Sequence, residues 1–422
     1  MQDYQQHQQL IDSFAQSLND RGFVFINSTK GPELYSTKDH DYATFGYHSI
    51  TALYCHWCNQ NKIDKNSIPE DLFLELQKRL SFVSGTAFRP NAPLHIPQPS
   101  GLTRLNTFKA YEPTNTTQSD IIGTPFETFM SRMFPEPEER HIVTQWLAHM
   151  FQRPEQRPSW HLLLTSDTGT GKGFLFHSIL TPLLCKQTKL INSFKRLTGQ
   201  FSGILGESML VMLDDAKSKS DATMTELKSI LSESHIVVEK KYETERTVEI
   251  FSRIIFASNE YRPLRLDADE RRWYVPQRIE HSGSRAETQS LIDSLEDWLD
   301  AGGLDVVYNY LMSYSLDGFH HKRIHQTETL KGMIGASQSV LEEALDVWLE
   351  GQLAFAPATL YSAFDDPKDL IKSKLTERGF VQKKLMNAPT RSAYWLHKST
   401  KPADAAKWLT DKSFQKVDEY SF

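Results

Sequence analysis

A glycine-rich turn, TSDTGTGKG, carries the residue types best suited to phosphate chemistry. It follows the apolar run HLLLT and precedes the apolar run GFLFHSILTPLL, a pattern that predicts a strand, a turn and the start of a helix. Backbone N–H groups and the helix dipole converge on an anion at such a junction. Gly169 and Gly171 allow backbone conformations that a side chain forbids, and Lys172 is positioned to reach the β- and γ-phosphates of a nucleotide. The predicted phosphate-binding residues are Ser166, Asp167, Thr168, Gly169, Thr170, Gly171, Lys172 and Gly173.

Two positions of this turn depart from the usual G-x-x-x-x-G-K-[ST] pattern. Ser166 stands where the first glycine belongs, and Gly173 stands where a hydroxyl residue would bind Mg²⁺. The missing hydroxyl leaves two alternatives: water or another residue completes the magnesium shell, or hydrolysis is impaired. A bare GTGKG also occurs by chance in an ordinary strand–turn–helix.

An acidic pair ends a second apolar run, SMLVMLDDAK. The run from Met209 to Leu213 predicts a buried strand that delivers Asp214 and Asp215 to its carboxyl end, where ligands bind in open α/β sheets. We expect Asp214 to hold Mg²⁺, directly or through water, and Asp215 to polarise an attacking water. The alternative is a surface Asp-Asp turn.

Two further segments supply polar residues for the same chemistry. RIIFASNE ends in Asn259, whose amide could contact a γ-phosphate or orient the water, although an isolated Asn is more often a cap. In LDADERRWYVP, Arg271 and Arg272 suit an arginine finger inserted into a neighbouring subunit's nucleotide site. Arg272 is favoured because it directly precedes the apolar WYV. The alternative is a surface salt bridge.

The elements that must position these residues follow from the apolar pattern. Runs at 162–164, 209–213, 235–238 and 254–257 predict buried strands of a mostly parallel sheet, preceded by a helix over 139–152. We divide the chain into a mixed α+β region (1–125), an α/β domain (126–335), a small C-terminal domain (336–400) and a polar tail (401–422). The stretch 115–120, NTTQSD, is interpreted as a linker.

Basic residues cluster in the small C-terminal domain. Between Lys368 and Lys398 the only acids are Asp369 and Glu377, whereas the basic positions are 368, 372, 374, 378, 383, 384, 391 and 398. A basic helix followed by a hairpin resembles a winged helix, which binds DNA with a helix in the major groove. Small units of this kind also serve as protein–protein modules.

The four motifs TSDTGTGKG, MLVMLDDA, RIIFASNE and DERRWYVP, in this order, resemble those of the superfamily 3 helicases of the AAA+ class. The resemblance covers roughly residues 126–280. It includes the helicase modules attached to phage primase-polymerases. The resemblance implies an α/β fold with an AAA+ P-loop core, ATP and Mg²⁺ as cofactors, and a homo-oligomeric, hexameric ring.

The same resemblance assigns a role to the segment HIVVEKKYETERTVEIF, which has the pattern of a hairpin. Superfamily 3 helicases project such a hairpin into the ring's channel, where a lysine grips one DNA strand. Lys240 and Lys241 match that position, and Tyr242 is available to stack on a base or sugar. An exposed hairpin with solvated lysines is the alternative.

Composition limits the class of protein but not its chemistry. The chain has 422 residues, 39% hydrophobic and 24% charged, with a net charge of −6 that excludes a globally basic nucleic-acid coat. No apolar run approaches a membrane span, and only three cysteines are present, so we expect a cytoplasmic protein, in a bacterial host if the source is a phage or mobile element. Cys55, His56 and Cys58 are too few to make a structural zinc site probable.

The sequence therefore predicts an ATP-dependent DNA helicase that acts on single-stranded or forked DNA. No primase or polymerase carboxylate cluster is evident in 1–125, so a separate primase or polymerase is a candidate partner. Two alternatives remain open: a DNA-bound AAA+ ATPase that acts as an initiator or loader without processive unwinding, and a nucleotide-binding scaffold without hydrolysis.

Overall fold

A computed structural model describes residues 2–28, 31–38, 44–63, 69, 71–198, 203–216, 221–238, 246–264, 266, 270–324, 326–390 and 392–411. They form an N-terminal unit, a central α/β unit and a small C-terminal unit. Within the described ranges, no helix has the length and apolar character that crossing a membrane requires.

The N-terminal unit is a four-stranded sheet covered by helices. Its elements are α1 (Gln2–Asp20), β1 (Phe23–Ser28), β2 (Gly31–Ser36), β3 (Thr44–Phe45), α2 (Tyr47–Gln60), α3 (Leu72–Gln77) and β4 (Phe82–Val83). The strand order is β3-β2-β1-β4. Phe14, Phe25, Leu34 and Leu76 are fully buried between the sheet and its helices, so strands and helices share one core in this unit. Cys58 belongs to this same core.

A second small sheet follows, with β5 (Thr86–Ala87), β6 (His95–Pro97) and β7 (Thr103–Asn106) in the order β5-β7-β6. Prolines in this region prevent long helices. Leu105 of β7 packs against Val24, Ile26, Tyr35 and Val83, which joins this sheet to the outer face of the first. Two helices lead into the central unit: α4 (Pro125–Met133) and α5 (Pro137–Gln152).

The central unit contains a five-stranded parallel sheet. In chain order its elements are β8 (His161–Thr165), α6 (Lys172–Phe174), a π-helical turn (Leu175–Leu180), α7 (Thr181–Leu183), β9 (Thr188–Ile191), α8 (Phe194–Thr198), a 3₁₀ turn (Leu205–Glu207), β10 (Leu210–Asp214), α9 (Asp221–Ser232), β11 (His235–Val238), β12 (Arg246–Glu249), β13 (Arg253–Ser258), β14 (Trp273–Tyr274), α10 (Arg285–Trp298), a π-helical turn (Leu299–Gly303) and α11 (Leu304–Ser313).

The parallel strands lie in the order β14-β8-β13-β10-β9. Strands β8 and β13 are buried along their whole length, which agrees with the continuous apolar runs that predict them. One expectation is wrong. The run 235–238 is not part of the parallel sheet, because β11 pairs antiparallel with β12 in a separate hairpin. Edge strand β9 lacks a continuous apolar run and was missed by the same criterion.

The segment interpreted as a linker is fixed to helix α11. Asp305, which is buried, accepts hydrogen bonds from the Tyr111 hydroxyl (2.7 Å), both the backbone N–H and the hydroxyl of Thr114 (3.0 and 2.6 Å), and the backbone N–H of Asn115 (2.9 Å). Burial raises the pKa of Asp305, but these hydrogen bonds outweigh it and leave that pKa lowered. The N-terminal and central units are therefore joined by an anchored connection.

The C-terminal unit consists of α12 (Glu328–Leu349), β15 (Ala354–Phe355), α13 (Pro357–Tyr361), α14 (Lys368–Glu377), β16 (Phe380–Lys384), β17 (Ala393–His397) and α15 (Pro402–Thr410). Its sheet has the order β15-β17-β16, so the predicted hairpin is present. The proposed boundary after residue 335 falls within α12, which contributes side chains to both the central and the C-terminal cores.

Residues 402–410 of the expected polar tail form a packed helix. Helix α15 packs Ala405 and Ala406 against Ala354, Tyr394 and Leu396 of the small sheet. Its small apolar residues allow this close approach although the segment is polar on average. Residues 412–422 lie outside the described part of the chain.

Candidate functional site

The turn after β8 adopts a conformation that requires glycine at two places. Gly169 has φ +84° and Gly171 has φ +104°, in the region that L side chains rarely occupy. A Cβ on Gly171 would also lie 2.7 Å from Cε2 of Phe129. Gly173 differs from both, because its φ is ordinary and a Cβ there would meet nothing within 4 Å. The backbone therefore explains Gly169 and Gly171 but not Gly173.

Ser166 is fully buried and continues the line of β8. It forms a parallel bridge with Ile279, and the backbone N–H of Asp167 donates to the Ile279 carbonyl at 2.9 Å. The Ser166 hydroxyl contacts Lys172 Nζ and donates to the Asp167 carbonyl at 2.6 Å. The serine that replaces the usual glycine is thus a partner of the lysine.

Lys172 bridges the turn and the end of β13. Its Nζ donates to Asn259 Oδ1 at 3.0 Å and to the Ser258 carbonyl at 3.3 Å. Burial lowers the pKa of Lys172, and the nearby Asp215 and Asp214 carboxylates oppose that shift. The lysine is therefore partly desolvated and lies near two carboxylates. Because water solvates its ammonium group poorly, that cation is available to an anionic ligand.

Asp215 and Asn259 are hydrogen-bonded to each other. The Asp215 carboxylate accepts from the Asn259 backbone N–H (3.0 Å), from Asn259 Nδ2 (2.8 Å) and from the Ser258 hydroxyl (3.2 Å). Asp215 has φ +45°, and its own N–H donates to the Ala257 carbonyl at 2.9 Å. The left-handed backbone conformation of Asp215 turns the chain at the end of β10 and fixes its carboxylate beside β13.

Asp214 ends β10 with an exposed side chain that makes no hydrogen bond to any described residue. Strand β13 lies between β8 and β10, so Lys172, Asn259 and the acidic pair meet at one edge of the sheet, as the sequence predicts. Among the described residues no three His, Cys, Asp or Glu side chains form a metal cluster. Mg²⁺ commonly needs only one or two carboxylates when substrate phosphates supply the remaining ligands, so Asp214 fits that requirement.

Arg278 lies at the same edge of the sheet but was not predicted from the sequence. Its Nη2 donates to the Ser166 carbonyl (2.8 Å), to Asp167 Oδ1 (2.9 Å) and to the Asn259 carbonyl (3.0 Å). Its guanidinium carbon lies 3.9 Å from the ring centre of Tyr261. No motif marks this arginine. The one feature of the sequence that could have indicated Arg278 is its position just beyond the apolar WYV strand. The end of that strand must lie beside the glycine-rich turn.

A narrow recess of about 20 Å³ borders the turn at Thr170. Two polar atoms on its lining residues are buried without a described partner: Arg132 Nη1 and His281 Nδ1. The other His281 nitrogen, Nε2, lies 3.0 Å from the Thr168 carbonyl, which requires a proton on Nε2; in the neutral imidazole Nδ1 is then an acceptor. The rest of the lining combines the apolar Phe129, Met133, Leu291 and Ile292 with the polar Glu280, Ser282 and Thr288.

Arg271 and Arg272 lie at the opposite end of the parallel strands from the glycine-rich turn. The carbonyl of Arg272 accepts from the backbone N–H of His161, the first residue of β8, so roughly 17 Å of strand separates this point from the turn. Arg272 pairs with the buried Glu270 at 3.3 Å and donates to the Ser232 hydroxyl at 3.2 Å. Arg271 is exposed, and its side chain makes no such bond within the described chain.

The three predicted DNA-contacting residues, Lys240, Lys241 and Tyr242, lie outside the described residues. The strands on either side pair from His235↔Glu249 to Val238↔Arg246. At the base of this hairpin, Glu249 forms an ion pair with Arg89 at 3.4 Å, beside a cavity of about 290 Å³. The hairpin therefore contacts the N-terminal part of the chain.

Part of the C-terminal basic cluster is neutralised internally. Lys374 pairs with Glu342 at 2.6 Å and with Glu377 at 3.1 Å, and Arg378 contacts both carboxylate oxygens of Asp346. The positions that remain exposed are Lys368, Lys372, Lys383, Lys384 and Lys398. Arg391 is not among the described residues.

Comparison with known proteins supports the fold and leaves the activity open. A family of unknown function, DUF5906, matches residues 164–272, which run from the end of β8 to just before β14. No curated protein matches the chain.

Solved structures give a wider match. The A form apo structure of the NrS-1 C-terminal region is 15% identical, with a TM-score of 0.58, and the match covers 90% of this chain and 98% of that one. A second apo structure of the same region is also 15% identical, with a TM-score of 0.58 and coverage of 86% and 84%. At this identity the likeness shows the fold alone: this chain shares the α/β architecture of the NrS-1 C-terminal region.

Proposed function

We propose that this protein is an ATP-dependent DNA helicase of the superfamily 3 type, with an AAA+ P-loop core. One observation carries the proposal: a hydrogen-bonded chain runs from Lys172 through Asn259 to Asp215 across adjacent parallel strands. A lysine on a glycine turn, an amide and a carboxylate at one sheet edge match the parts that nucleotide hydrolysis needs.

Each side chain has a distinct role in this proposal. Lys172 exchanges its contacts with Ser166 and Asn259 for the β- and γ-phosphates, whose charge it neutralises. Asp214, exposed at the end of β10, would hold Mg²⁺, which would neutralise charge developing on the phosphates. Asp215 orients and polarises the attacking water, and Asn259 fixes the carboxylate in the direction of the phosphate.

The recess beside Thr170 is too small for a nucleotide base as it stands, because its volume is only about 20 Å³. ATP is therefore assigned as the nucleotide from the motif resemblance and not from the chemistry of this recess.

The separation between Arg271 and the turn favours action on a neighbouring subunit. An arginine at the far end of a strand cannot reach phosphates bound at the near end, so a finger in this position needs a ring of subunits. Arg272 is already paired with Glu270, which makes Arg271 the better candidate.

DNA contact is assigned to two surfaces. The hairpin between β11 and β12 carries Lys240, Lys241 and Tyr242, which the resemblance places in the channel of a hexameric ring. The exposed lysines of the C-terminal unit, which has the helix and hairpin arrangement of a winged helix, form the second surface. A primase or polymerase remains a candidate partner.

Strand displacement on a forked duplex tests this function. The protein is incubated with the fork and MgATP, and release of one labelled strand is measured. We expect release with ATP and none without it. ATP hydrolysis that single-stranded DNA stimulates, without strand release, would indicate an initiator or loader instead. Nucleotide binding without hydrolysis would indicate a scaffold.

A further inference from the structure

Arg278 lies where three chain segments of the candidate site converge. Beyond β14 the chain continues beside the turn, with the Ile279 N–H donating to the Thr165 carbonyl at 2.9 Å. This pairing sets the backbone of residue 278 next to Ser166. From there the side chain extends across the end of β8 to reach the Asn259 carbonyl, on β13's side.

Arg278 and Lys172 bind the same two residues. Lys172 contacts the Ser166 hydroxyl and donates to the Asn259 side-chain oxygen, whereas Arg278 donates to the backbone carbonyls of both. The lysine contacts would be given up to a phosphate, but the arginine contacts involve the main chain. Arg278 can therefore keep the turn and Asn259 at a fixed separation after Lys172 has moved.

Two further observations distinguish Arg278 from an ordinary surface ion pair. Its side chain is only 12% exposed, and its Nε and Nη1 are buried without a partner among the described residues. Tyr261, itself 67% exposed, covers the guanidinium at 3.9 Å from its ring centre. A solvent-exposed ring held over a buried cation restricts the directions in which the arginine can move.

We propose that Arg278 is a positioning residue for nucleotide hydrolysis, held in place by Tyr261. It fixes Asn259 relative to the phosphate-binding turn, and Asn259 in turn aligns Asp215. This inference rests on the proposed function, because it assigns a role in the same hydrolytic site. Displacing a catalytic group by about 1 Å can lower a rate by about 10²-fold while substrate binding persists.

The test compares Arg278→Gln, Arg278→Lys and Tyr261→Leu with the wild-type protein. Arg323→Gln is the matched control, because Arg323 is exposed and lies outside the site. Three quantities are measured for each protein: the melting temperature, the Kd for MgATP and the kcat for ATP hydrolysis. We expect Arg278→Gln to lower kcat about 10²-fold with Kd and melting temperature little changed.

Arg278→Lys and Tyr261→Leu test the inference further. Lysine keeps the charge but lacks the planar fork, so Arg278→Lys should recover only part of the lost kcat. Tyr261→Leu removes the ring and leaves the arginine's hydrogen bonds, and a smaller loss of kcat is expected. If Arg278→Gln does not fold, Tyr261→Leu decides, because exposed Tyr261 is not part of the core.

Three outcomes would overturn the inference. A wild-type kcat in Arg278→Gln, or in Tyr261→Leu when the first variant fails to fold, excludes positioning. Parallel losses of kcat, ATP affinity and melting temperature would assign Arg278 to structure instead. Absence of hydrolysis by the wild-type protein would overturn the proposed function and this inference with it. The first two outcomes, by contrast, would overturn the role of Arg278 and leave the proposed function standing.

Discussion

Substitution of Asp215 should abolish ATP hydrolysis and leave ATP binding intact. Its two oxygens accept three hydrogen bonds from Ser258 and Asn259, so an amide of the same shape keeps part of this arrangement but cannot polarise water. We expect Asp215→Asn to bind MgATP with wild-type affinity and to lose hydrolysis. Single-turnover hydrolysis and equilibrium binding measure the two effects. Normal turnover in Asp215→Asn together with an inactive Asp214→Asn would show that the roles of the pair are reversed.

Substitutions at Gly173 and at Gly171 are expected to have opposite effects. A Cβ at Gly173 would meet nothing within 4 Å, whereas a Cβ at Gly171 is strained by φ +104° and would collide with Phe129. We expect Gly173→Thr to fold normally and to reach half-maximal ATP hydrolysis at a lower Mg²⁺ concentration, because the hydroxyl supplies the missing ligand. Gly171→Ala should lose ATP binding. A magnesium titration of hydrolysis decides, and an unchanged half-saturation point in Gly173→Thr would contradict this view of the site.

At the scale of the elements, a buried cluster of one arginine and two histidines joins helix α5 to strand β13. Arg253, fully buried at the start of β13, donates from Nη2 to His149 Nδ1 at 2.8 Å and to the His149 carbonyl at 3.1 Å. Burial and the neighbouring Arg253 charge lower the pKa of His149 to about 3. His161 is also buried, and burial lowers its pKa. Both histidines are therefore neutral in the folded protein at ordinary pH.

This cluster predicts acid lability. An unfolded histidine binds a proton near pH 6.5, so below about that pH the unfolded state holds more protons than the folded state. Stability is full above this point and falls as the pH drops, by up to about 1.4 kcal/mol per pH unit for His149. Urea unfolding between pH 5 and 7.5 measures the slope. His149→Gln, which keeps an acceptor for Arg253, should reduce it, and exposed His95→Gln should not. An unchanged slope in His149→Gln would refute this assignment.

The elements also show what sequence can and cannot predict. Lys172, Asp214, Asp215 and Asn259 were predictable because each directly follows an apolar run or a glycine turn, so one-dimensional spacing fixes their place in the sheet. Arg278, His281 and Arg132 were not predictable, because strand pairing and side-chain packing, rather than a local motif, bring them to the turn. Edge strand β9 and the anchored linker were missed for the same reason, since tertiary contacts define both.

At the scale of the whole molecule, the finger hypothesis requires two subunits for one hydrolytic site. We expect Arg271→Ala to bind ATP without hydrolysing it. Mixed with inactive Lys172→Ala protein, it should form some interfaces that join an intact turn to an intact finger, and part of the ATPase activity should return. Arg272→Ala is the comparison, because its native pairing with Glu270 predicts a structural effect instead. No recovery at any mixing ratio, with subunit exchange shown independently, would contradict action between subunits.

The most direct measurement of the central claim is the rate of MgATP hydrolysis by the wild-type and Lys172→Ala proteins, with and without single-stranded DNA. Lys172 contacts the turn and the end of β13 but no apolar core, so its removal should leave the melting temperature nearly unchanged. We predict that the wild-type protein hydrolyses ATP, that single-stranded DNA raises the rate, and that Lys172→Ala loses at least about 10²-fold in both conditions. Equal hydrolysis by the two proteins, or no hydrolysis by the wild type, would contradict the assignment of this site.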